Sequence, residues 1–529
     1  MKAFRIYLLL AALIIVGGLI GFYLSTGEEP VEPAVDPDES SLPEQVTADF
    51  PEPEPESAAG RDVSPEVPPG AIPGEYVIHF ESREDFLAYI AALRAAGQKP
   101  LGQIDALLAV RIPEEALLAI DLDKYGARAS YSHEVERPLP PVEIDPQALA
   151  GLRAYGESAQ TVVGGPPHGD GSGTIVAILD SGIEAHPHFD DVRMTRLDLA
   201  GGGMAGTGAG HGTSVASVIG GKEGIAPGAE LFLVRVLDAE GLGNSYDVAE
   251  GIVEATDRGA KIINLSLGVY QDSQLLRQAV DYAHDKGAVL VAAAGNEGYD
   301  GMPFPADYEK VLSVTALDAQ GRQAVFPNQS EKIDFAAPGI GIRTAKGDEG
   351  TTLFSGTSAA APFVSGTLAS LMSGEKAMSA GEAVELLQRY LNDAGAPGAD
   401  PVYGAGAVDW DRLRERDTPE ILDVALAGIH LSPDARPGTN MPVEVTVQNR
   451  GTKWFNEARL EVLVNEAEPV SFTIGTLGPG QTTTRKVFTQ VPSLDSEQAL
   501  DLAARVLPED LNEDVRLENN LKAVQFRPR

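Results

Sequence analysis

The sequence of 529 residues contains no cysteine, which excludes disulfides, thiolate metal sites and cysteine nucleophiles. Basic residues are scarce, because 40 lysines and arginines stand against 78 aspartates and glutamates, and the formal net charge is −38. A surface of that charge repels phosphates, so nucleic acid is excluded as a partner. Apolar residues still make up 43% of the chain, which is enough for folded domains, and the length suggests about three or four of them.

Long apolar runs are rare as well, and the longest begins close to the N-terminus. Lys2 and Arg5 precede an uncharged stretch from Ile6 to Leu24, whose length is near the roughly 20 residues that a membrane helix needs. The basic side of such a helix stays cytoplasmic, which places the rest of the chain outside. We therefore expect residues 1–27 to be a signal anchor, giving a single-pass membrane protein with extracytoplasmic domains. A cleaved signal peptide, giving a secreted protein, and a buried core helix are the alternatives.

Two different segments come next. Residues 28–73 are rich in proline, glutamate and aspartate, and such a composition predicts an extended linker that lifts the rest of the chain from the membrane. Residues 74–138 combine alternating apolar strands with helical apolar spacing in the order β-α-β-α-β. Ser82 stands where it would cap the first of these helices. This order predicts a small α+β module.

Residues 145–412 alternate continuous apolar strands, such as "TIVAILD" and "AVLVAAAG", with helical stretches. Continuous apolar strands separated by helices predict a parallel sheet covered on both faces, the doubly wound α/β class. Catalytic groups in such folds gather at the carboxyl ends of the strands.

Residues 418–529 change character to short alternating strands with turn-like spacers, which predicts an all-β, immunoglobulin-like sandwich. The spacers "NRGT" and "LGPGQ" and the closing "LENN" resemble the bacterial CARDB-type module. We expect this domain to have a surface partner of its own, whose identity the sequence leaves open.

Peptide hydrolysis by a serine hydroxyl requires a base, a carboxylate that orients the base, and donors for a negative oxygen. Asp180 ends the strand "TIVAILD", His211 lies in "GHGTSVASVIGG", and Ser358 lies in "SGTSAAAPFVSG" at a loop-to-helix junction. Taken singly, the aspartate fits a turn, the histidine fits a structural or exposed position, and the serine fits a helix N-cap.

Taken together, "LDSGIEAHP", "GHGTSVAS", "AAAGNEG" and "GTSAAAPFVSG" occur in that order within one α/β domain. They resemble the signatures of the subtilisin family of serine endopeptidases, including its Asp–His–Ser order. The resemblance implies that Ser358 is the nucleophile, His211 the general base and Asp180 the orienting carboxylate. It also implies that Asn296 donates to the oxyanion, where the alternative is an ordinary turn residue.

The same resemblance implies a substrate clamp of two extended segments that pair with a peptide by strand addition. Without the resemblance to the subtilisin family, both segments would be read as ordinary strand ends or turns. The expected substrate-binding residues are Ser266, Leu267 and Gly268 in "NLSLG", Gly241, Leu242 and Gly243 in "EGLGN", and Gly295 beside the oxyanion donor.

The resemblance has further implications for maturation and cofactors. Residues 74–138 directly precede the protease-like domain, so they look like an inhibitory propeptide that the enzyme removes by cutting itself between about Glu136 and Gly171. No cofactor is expected. His188 stands where many relatives have a calcium-binding aspartate, which predicts the loss of that tight site and leaves a weak calcium site open.

Proteins and peptides are the expected substrates of such an enzyme. Two other classes of function stay open. One is a catalytically silent fold used for binding, and the other is a surface-binding protein whose essential part is the C-terminal sandwich.

Overall fold

The computed structural model describes residues 67–141, 149, 151–165, 169–204, 208–374, 378–432, 434–465, 467–492, 499–509 and 512–526. The predicted signal anchor or signal peptide and the predicted linker up to residue 66 lie outside these ranges. Among the described residues, no helix has both the length and the apolar character needed to cross a membrane.

The first folded region is an antiparallel sheet with two helices packed against it. Its strand order is β2-β3-β1-β4, and Phe86 and Leu93 of the first helix pack on Ile78 and Ile112 of the sheet. Ser82 caps this helix as expected, because its side chain accepts a hydrogen bond from the Asp85 amide at 3.1 Å. The elements are β1 (Ala71–His79), α1 (Arg83–Ala95), β2 (Gly102–Ile104), β3 (Ala109–Pro113), α2 (Glu114–Ala119) and β4 (Arg128–Glu136).

The central region contains a seven-stranded parallel sheet whose strands are almost entirely buried, apart from the partly exposed edge strand β6. Its order is β12-β11-β10-β9-β5-β7-β6. A short strand, β8 (Leu242–Asn244), stands outside this sheet and pairs instead with β4. The seven strands are β5 (Ile175–Asp180), β6 (Met194–Asp198), β7 (Glu230–Arg235), β9 (Ile262–Leu265), β10 (Val289–Ala293), β11 (Val311–Leu317) and β12 (Phe335–Pro338).

Helices cover both faces of the parallel sheet. Val215 and Phe363 belong to helices packed on one face, whereas Ile252 and Leu276 belong to helices packed on the other. This arrangement confirms the predicted doubly wound α/β class. The helices are α3 (Ala159–Val162), α4 (Gly210–Ile219), α5 (Ser245–Asp257), α6 (Gln274–Asp285), α7 (Thr357–Met372), α8 (Ala380–Arg389) and α9 (Trp410–Glu415).

The loop that leads into α7 is a β-hairpin. Its strands, β13 (Ile342–Lys346) and β14 (Gly350–Phe354), pair antiparallel, and β14 ends four residues before Ser358. The hairpin therefore forms part of the wall around the start of α7.

The C-terminal region is all β, as predicted. Two antiparallel sheets, in the orders β15-β16-β19 and β18-β17-β20-β21, enclose a core that includes Val445, Leu460 and Val506. Buried polar groups join this region to the central one, because the Arg412 guanidinium donates to the backbone carbonyl of Arg450 at 3.0 Å. The strands are β15 (Val424–Leu431), β16 (Asn440–Asn449), β17 (Ala458–Val464), β18 (Val470–Ile474), β19 (Thr482–Gln490), β20 (Leu500–Pro508) and β21 (Leu521–Phe526).

Candidate active site

Asp180 and His211 form a buried pair at the carboxyl end of the parallel sheet. Asp180 is the last residue of β5, and His211 is the second residue of α4. The two carboxylate oxygens lie 2.9 and 3.0 Å from the histidine Nδ1. An ionised carboxylate only accepts hydrogen bonds, so Nδ1 carries the proton and Nε2 keeps a free lone pair. The Ser181 amide also donates to Asp180, at 2.7 Å, which fixes the carboxylate in place.

Ser358 is the second residue of α7, at the helix N-terminus. The residue before the helix, Gly356, has φ +122°, a conformation that favours glycine. A Cβ atom at this position would also lie only 2.9 Å from the side-chain nitrogen of Asn296. Glycine is therefore required for the close approach between this loop and the asparagine.

Asn296 follows β10 after a sharp turn, and its side-chain amide is hydrogen-bonded to the first residue of α7. Its Oδ1 accepts hydrogen bonds from the amide and the hydroxyl of Thr357, each at 2.9 Å. These contacts leave Nδ2 directed away from Thr357, and it donates to the carbonyl of Leu139 at 3.0 Å. The side chain that the sequence marks as an oxyanion donor thus holds a backbone carbonyl of the same chain.

A cleft of about 680 Å³ brings these groups together, since His211, Asn296 and Ser358 all line it. Nε2 of His211 and Oγ of Ser358 are buried, and neither has a hydrogen-bond partner among the described residues. Unpaired buried polar atoms are costly. Because His211 Nε2 and Ser358 Oγ are unpaired among the described residues of the same cleft, both are available to react with a molecule that binds there.

The first folded region, from β1 to β4, is the N-terminal domain. The extended chain that follows its last strand, β4, lines this cleft. The backbone of Glu136 exchanges two hydrogen bonds with that of Gly268, at 2.9 and 2.8 Å. On the opposite side, β4 pairs with β8, and the Arg137 amide donates to the carbonyl of Gly241 at 3.1 Å. The chain therefore lies between two backbone edges in the manner of a bound peptide.

The predicted substrate-binding residues divide into two groups. Gly241, Leu242, Gly243 and Gly268 belong to the two edges that pair with residues 134–137. The other three residues form the supporting wall. Ser266 and Leu267 are fully buried, and the Ser266 hydroxyl donates to the Ser358 carbonyl at 3.3 Å. Gly295 makes the turn before Asn296, and its amide donates to the Thr357 hydroxyl at 3.2 Å.

Sequence reasoning missed two neighbours of the site. Leu139 was not identified as the residue whose carbonyl meets the asparagine, although the proline-rich "RPLPP" after β4 signals an extended segment. Phe354 lies edge-on to the ring of His211, with centroids 5.4 Å apart at 85°. Its packing against the ring restricts the orientation of the imidazole.

His188 occupies the position where calcium coordination was expected to be lost. Its Nε2 lies 3.1 Å from the carbonyl of Gly220, and its ring packs edge-on against Phe189. A carbonyl only accepts, so Nε2 donates this bond. Burial lowers the pKa of His188 below its ordinary value of 6.5. In the described parts of the chain, no cluster of three or more histidine, aspartate or glutamate side chains is placed to hold a metal.

We expect a chelator to change the stability of this protein little. A calcium site filled at 100 times its Kd would contribute about 2.7 kcal/mol, which corresponds to about 5 to 10 °C in Tm. Calorimetry with and without EDTA measures the difference. A drop of several degrees that added calcium reverses would show that a tight site exists.

Comparisons with known proteins match two parts of the chain to known families. The model of the Subtilase family matches residues 171–406, and the CARDB model matches residues 426–524. Subtilisin BL of Lederbergia lenta is 35% identical over 245 residues, which are 45% of this chain and 90% of the relative. The minor extracellular protease Epr of Bacillus subtilis is 34% identical over 250 residues, covering 44% of this chain and 37% of the relative.

Among solved structures, the protease domain of PatA is 32% identical and covers 47% of this chain and 98% of that domain, with a TM-score of 0.43. The match to subtilisin BL spans nearly the whole of that enzyme, and the family model covers the β5, α4 and α7 segments that carry the site. The chain belongs to the subtilase family and is a serine endopeptidase.

Proposed function

We propose that this protein is an extracytoplasmic endopeptidase that cleaves proteins and peptides through an acyl-enzyme on Ser358. It is made as a precursor whose own N-terminal domain inhibits it until the chain is cut between about 136 and 171. In this proposal, residues 74–138 are the propeptide, 145–412 the catalytic domain and 418–529 a CARDB-like sandwich. The observation that carries the proposal is the hydrogen bond from Asn296 to a backbone carbonyl inside the cleft.

The proposed chemical roles are those of a Ser–His–Asp triad, and they are supported by the hydrogen bonds of Asp180 with His211 and of Asn296 with a backbone carbonyl. Ser358 Oγ attacks the carbonyl carbon, and His211 Nε2 takes the hydroxyl proton and then gives it to the leaving nitrogen. Asp180 accepts the Nδ1–H bond and stabilises the imidazolium that forms. The Asn296 side chain and the Ser358 amide donate to the oxygen as it becomes negative. None of these steps requires a metal or an organic cofactor.

Inhibition by the N-terminal domain is supported by its contacts with the catalytic domain. Arg111 lies 3.3 Å from the Asp247 carboxylate, and its guanidinium stacks over Tyr246 at 4.6 Å. Val77 and Val135 are buried in the same hydrophobic core as α5 and α6. An apolar interface with a largely buried ion pair holds the end of β4 in the cleft while the chain is intact.

We expect acid to loosen this domain from the catalytic domain. Burial lowers the pKa of His79 and that of His133 below their ordinary value of 6.5. Both Nδ1 atoms are buried, and the cost of burying the charged ring outweighs the opposing effects of Gln278 on His79 and of Asp272 on His133. The docked state favours the neutral rings, so these two histidines leave its stability unchanged above pH 6.5 and lower it as the pH falls below 6.5.

The measurement is hydrogen exchange at the amides of Glu136 and Gly268 in the uncleavable Ser358→Ala protein. Opening free energies, corrected for intrinsic exchange rates, should be smaller at pH 5.5 than at pH 7.5. Replacing both histidines with glutamine should remove most of that difference. Equal opening free energies at the two pH values in the parent protein would contradict the prediction.

An extracytoplasmic location is supported by the apolar run near the N-terminus and by the relative that is named an extracellular protease. Retention in the membrane through that run, or secretion after its removal, are the two forms of this proposal. The C-terminal sandwich would bind a surface partner.

The matured protein tests the proposal when it is incubated with an unfolded protein and the products are identified by mass spectrometry. Internal peptide bonds should be cut. Hydrolysis of esters without cleavage of any peptide bond would contradict it, as would an uncleaved precursor with full activity.

A further inference from the structure

Leu139 presents its carbonyl to the active site, and the residue after it is a proline. The Asn296 side chain donates to the Leu139 carbonyl at 3.0 Å, so the bond next to the active-site donor is Leu139–Pro140. Cleavage would form a bond from Ser358 Oγ to this carbonyl carbon and break the bond to the proline nitrogen. That nitrogen would leave with the proton that His211 had taken from the serine.

The proline nitrogen is a poor partner for this step. It carries the ring carbon Cδ where other residues carry hydrogen, and this carbon lies beside the carbonyl under attack. The ring crowds the position from which His211 must reach the leaving nitrogen. A small misplacement of reacting groups costs about 100-fold in rate.

The burial of Pro138 and Leu139 also differs from that expected for a substrate bound at this position. The Leu139 side chain is 47% exposed, although its carbonyl is the one that the donor holds. Pro138, immediately before it, is buried. The carbonyl that accepts the hydrogen bond from Asn296 belongs to Leu139, whereas the buried side chain belongs to Pro138.

The upstream end of the segment is fixed, because Glu136 pairs with Gly268. The chain is held again at Arg153, whose amide donates to the Asp318 carboxylate at 3.0 Å. Farther along, the Tyr155 amide donates to the Ile340 carbonyl at 2.9 Å. Prolines at 138, 140 and 141 reduce the freedom that the segment loses on binding, and such preorganisation strengthens binding.

We propose that residues 137–141 are a cleavage-resistant plug: the precursor offers its own protease an X–Pro bond that it holds without cutting. The inference rests on the proposed function, because it assigns a mode of regulation to the same active site. Maturation then uses a different bond, and Pro140 is the residue that keeps the plug intact.

The test compares full-length wild type with Pro140→Ala, Pro141→Ala and the double variant Pro140→Ala/Ser358→Ala. Each protein is incubated alone, and new N-termini are identified by mass spectrometry over time. Pro140→Ala should cut itself between residues 139 and 140 at least about 100-fold faster than wild type. The Pro141→Ala control should remain uncut at that bond, and the double variant should not cut itself at all.

Wild-type protein that cuts itself after Pro138 or after Leu139 would overturn the plug. So would a Pro140→Ala protein that folds, as judged by its thermal unfolding, and stays uncut at 139–140 while matured wild type digests an unfolded protein. Failure of the proposed function is a separate result, in which matured wild type digests nothing.

Discussion

Ser358→Ala is expected to abolish peptide hydrolysis. The loss in kcat should be about 10⁶-fold, a magnitude measured for the equivalent change in subtilisin itself and carried over from that enzyme. The physical reason is that the cleft contains the buried Ser358 hydroxyl and the buried His211 Nε2, and neither atom has a hydrogen-bond partner among the described residues. Without the hydroxyl, no acyl-enzyme forms, although the cleft and the Asn296 donor remain.

The measurement is the rate of hydrolysis of a peptide amide. Both proteins are first treated with trypsin, which can cut after the exposed Arg153, and the trypsin is then blocked with a protein inhibitor. Ser355→Ala is the matched control, because this hydroxyl lines the same cleft and only accepts a bond from the Gly341 amide at 2.8 Å. The control should keep most of its activity. A Ser358→Ala protein with more than a trace of activity would refute the assigned nucleophile.

Asn296→Asp has the second largest expected effect. The aspartate keeps an oxygen that can accept from Thr357 and loses the Nδ2 donor that meets the Leu139 carbonyl. We expect kcat to fall by about 10² to 10³ with little change in KM, the range found when this donor is removed from subtilisin. A donor that acts mainly in the transition state changes kcat rather than KM.

Thr357→Val distinguishes the loss of the Asn296 Nδ2 donor from a change in the position of the Asn296 side chain. It removes the hydroxyl that donates to the Asn296 Oδ1 at 2.9 Å but leaves Nδ2 in the molecule. Steady-state kinetics should therefore show a smaller loss than Asn296→Asp. Losses of similar size in the two variants, or an Asn296→Asp loss below about tenfold, would mean that the amide serves the turn and not the oxyanion.

Much of the fold was predictable because buried parallel strands are continuous apolar runs. β5, β7, β9, β10 and β11 were all recognised in this way. The edge strands β6 and β12 were not, since "MTRLD" is largely polar and "FAAP" is short and ends in proline. β21 in the sandwich was missed for a related reason, because every residue from Leu521 to Gln525 is exposed.

The candidate site was predictable as a set of residues but not as a set of contacts. Its four motifs carry small residues and catalytic side chains close together in sequence, so they are visible without coordinates. The pairing of β4 with β8 joins residues more than 100 positions apart, and no local pattern specifies it. The contact between Asn296 and Leu139, 157 residues away, depends on that pairing.

A fluorophosphonate probe on the trypsin-nicked protein, with peptide mapping of the product, shows whether Ser358 is the nucleophile of a working protease. We expect one labelled peptide, modified at Ser358, and no label in Ser358→Ala. No labelling of the nicked wild type, or label on another serine that persists in Ser358→Ala, would contradict it.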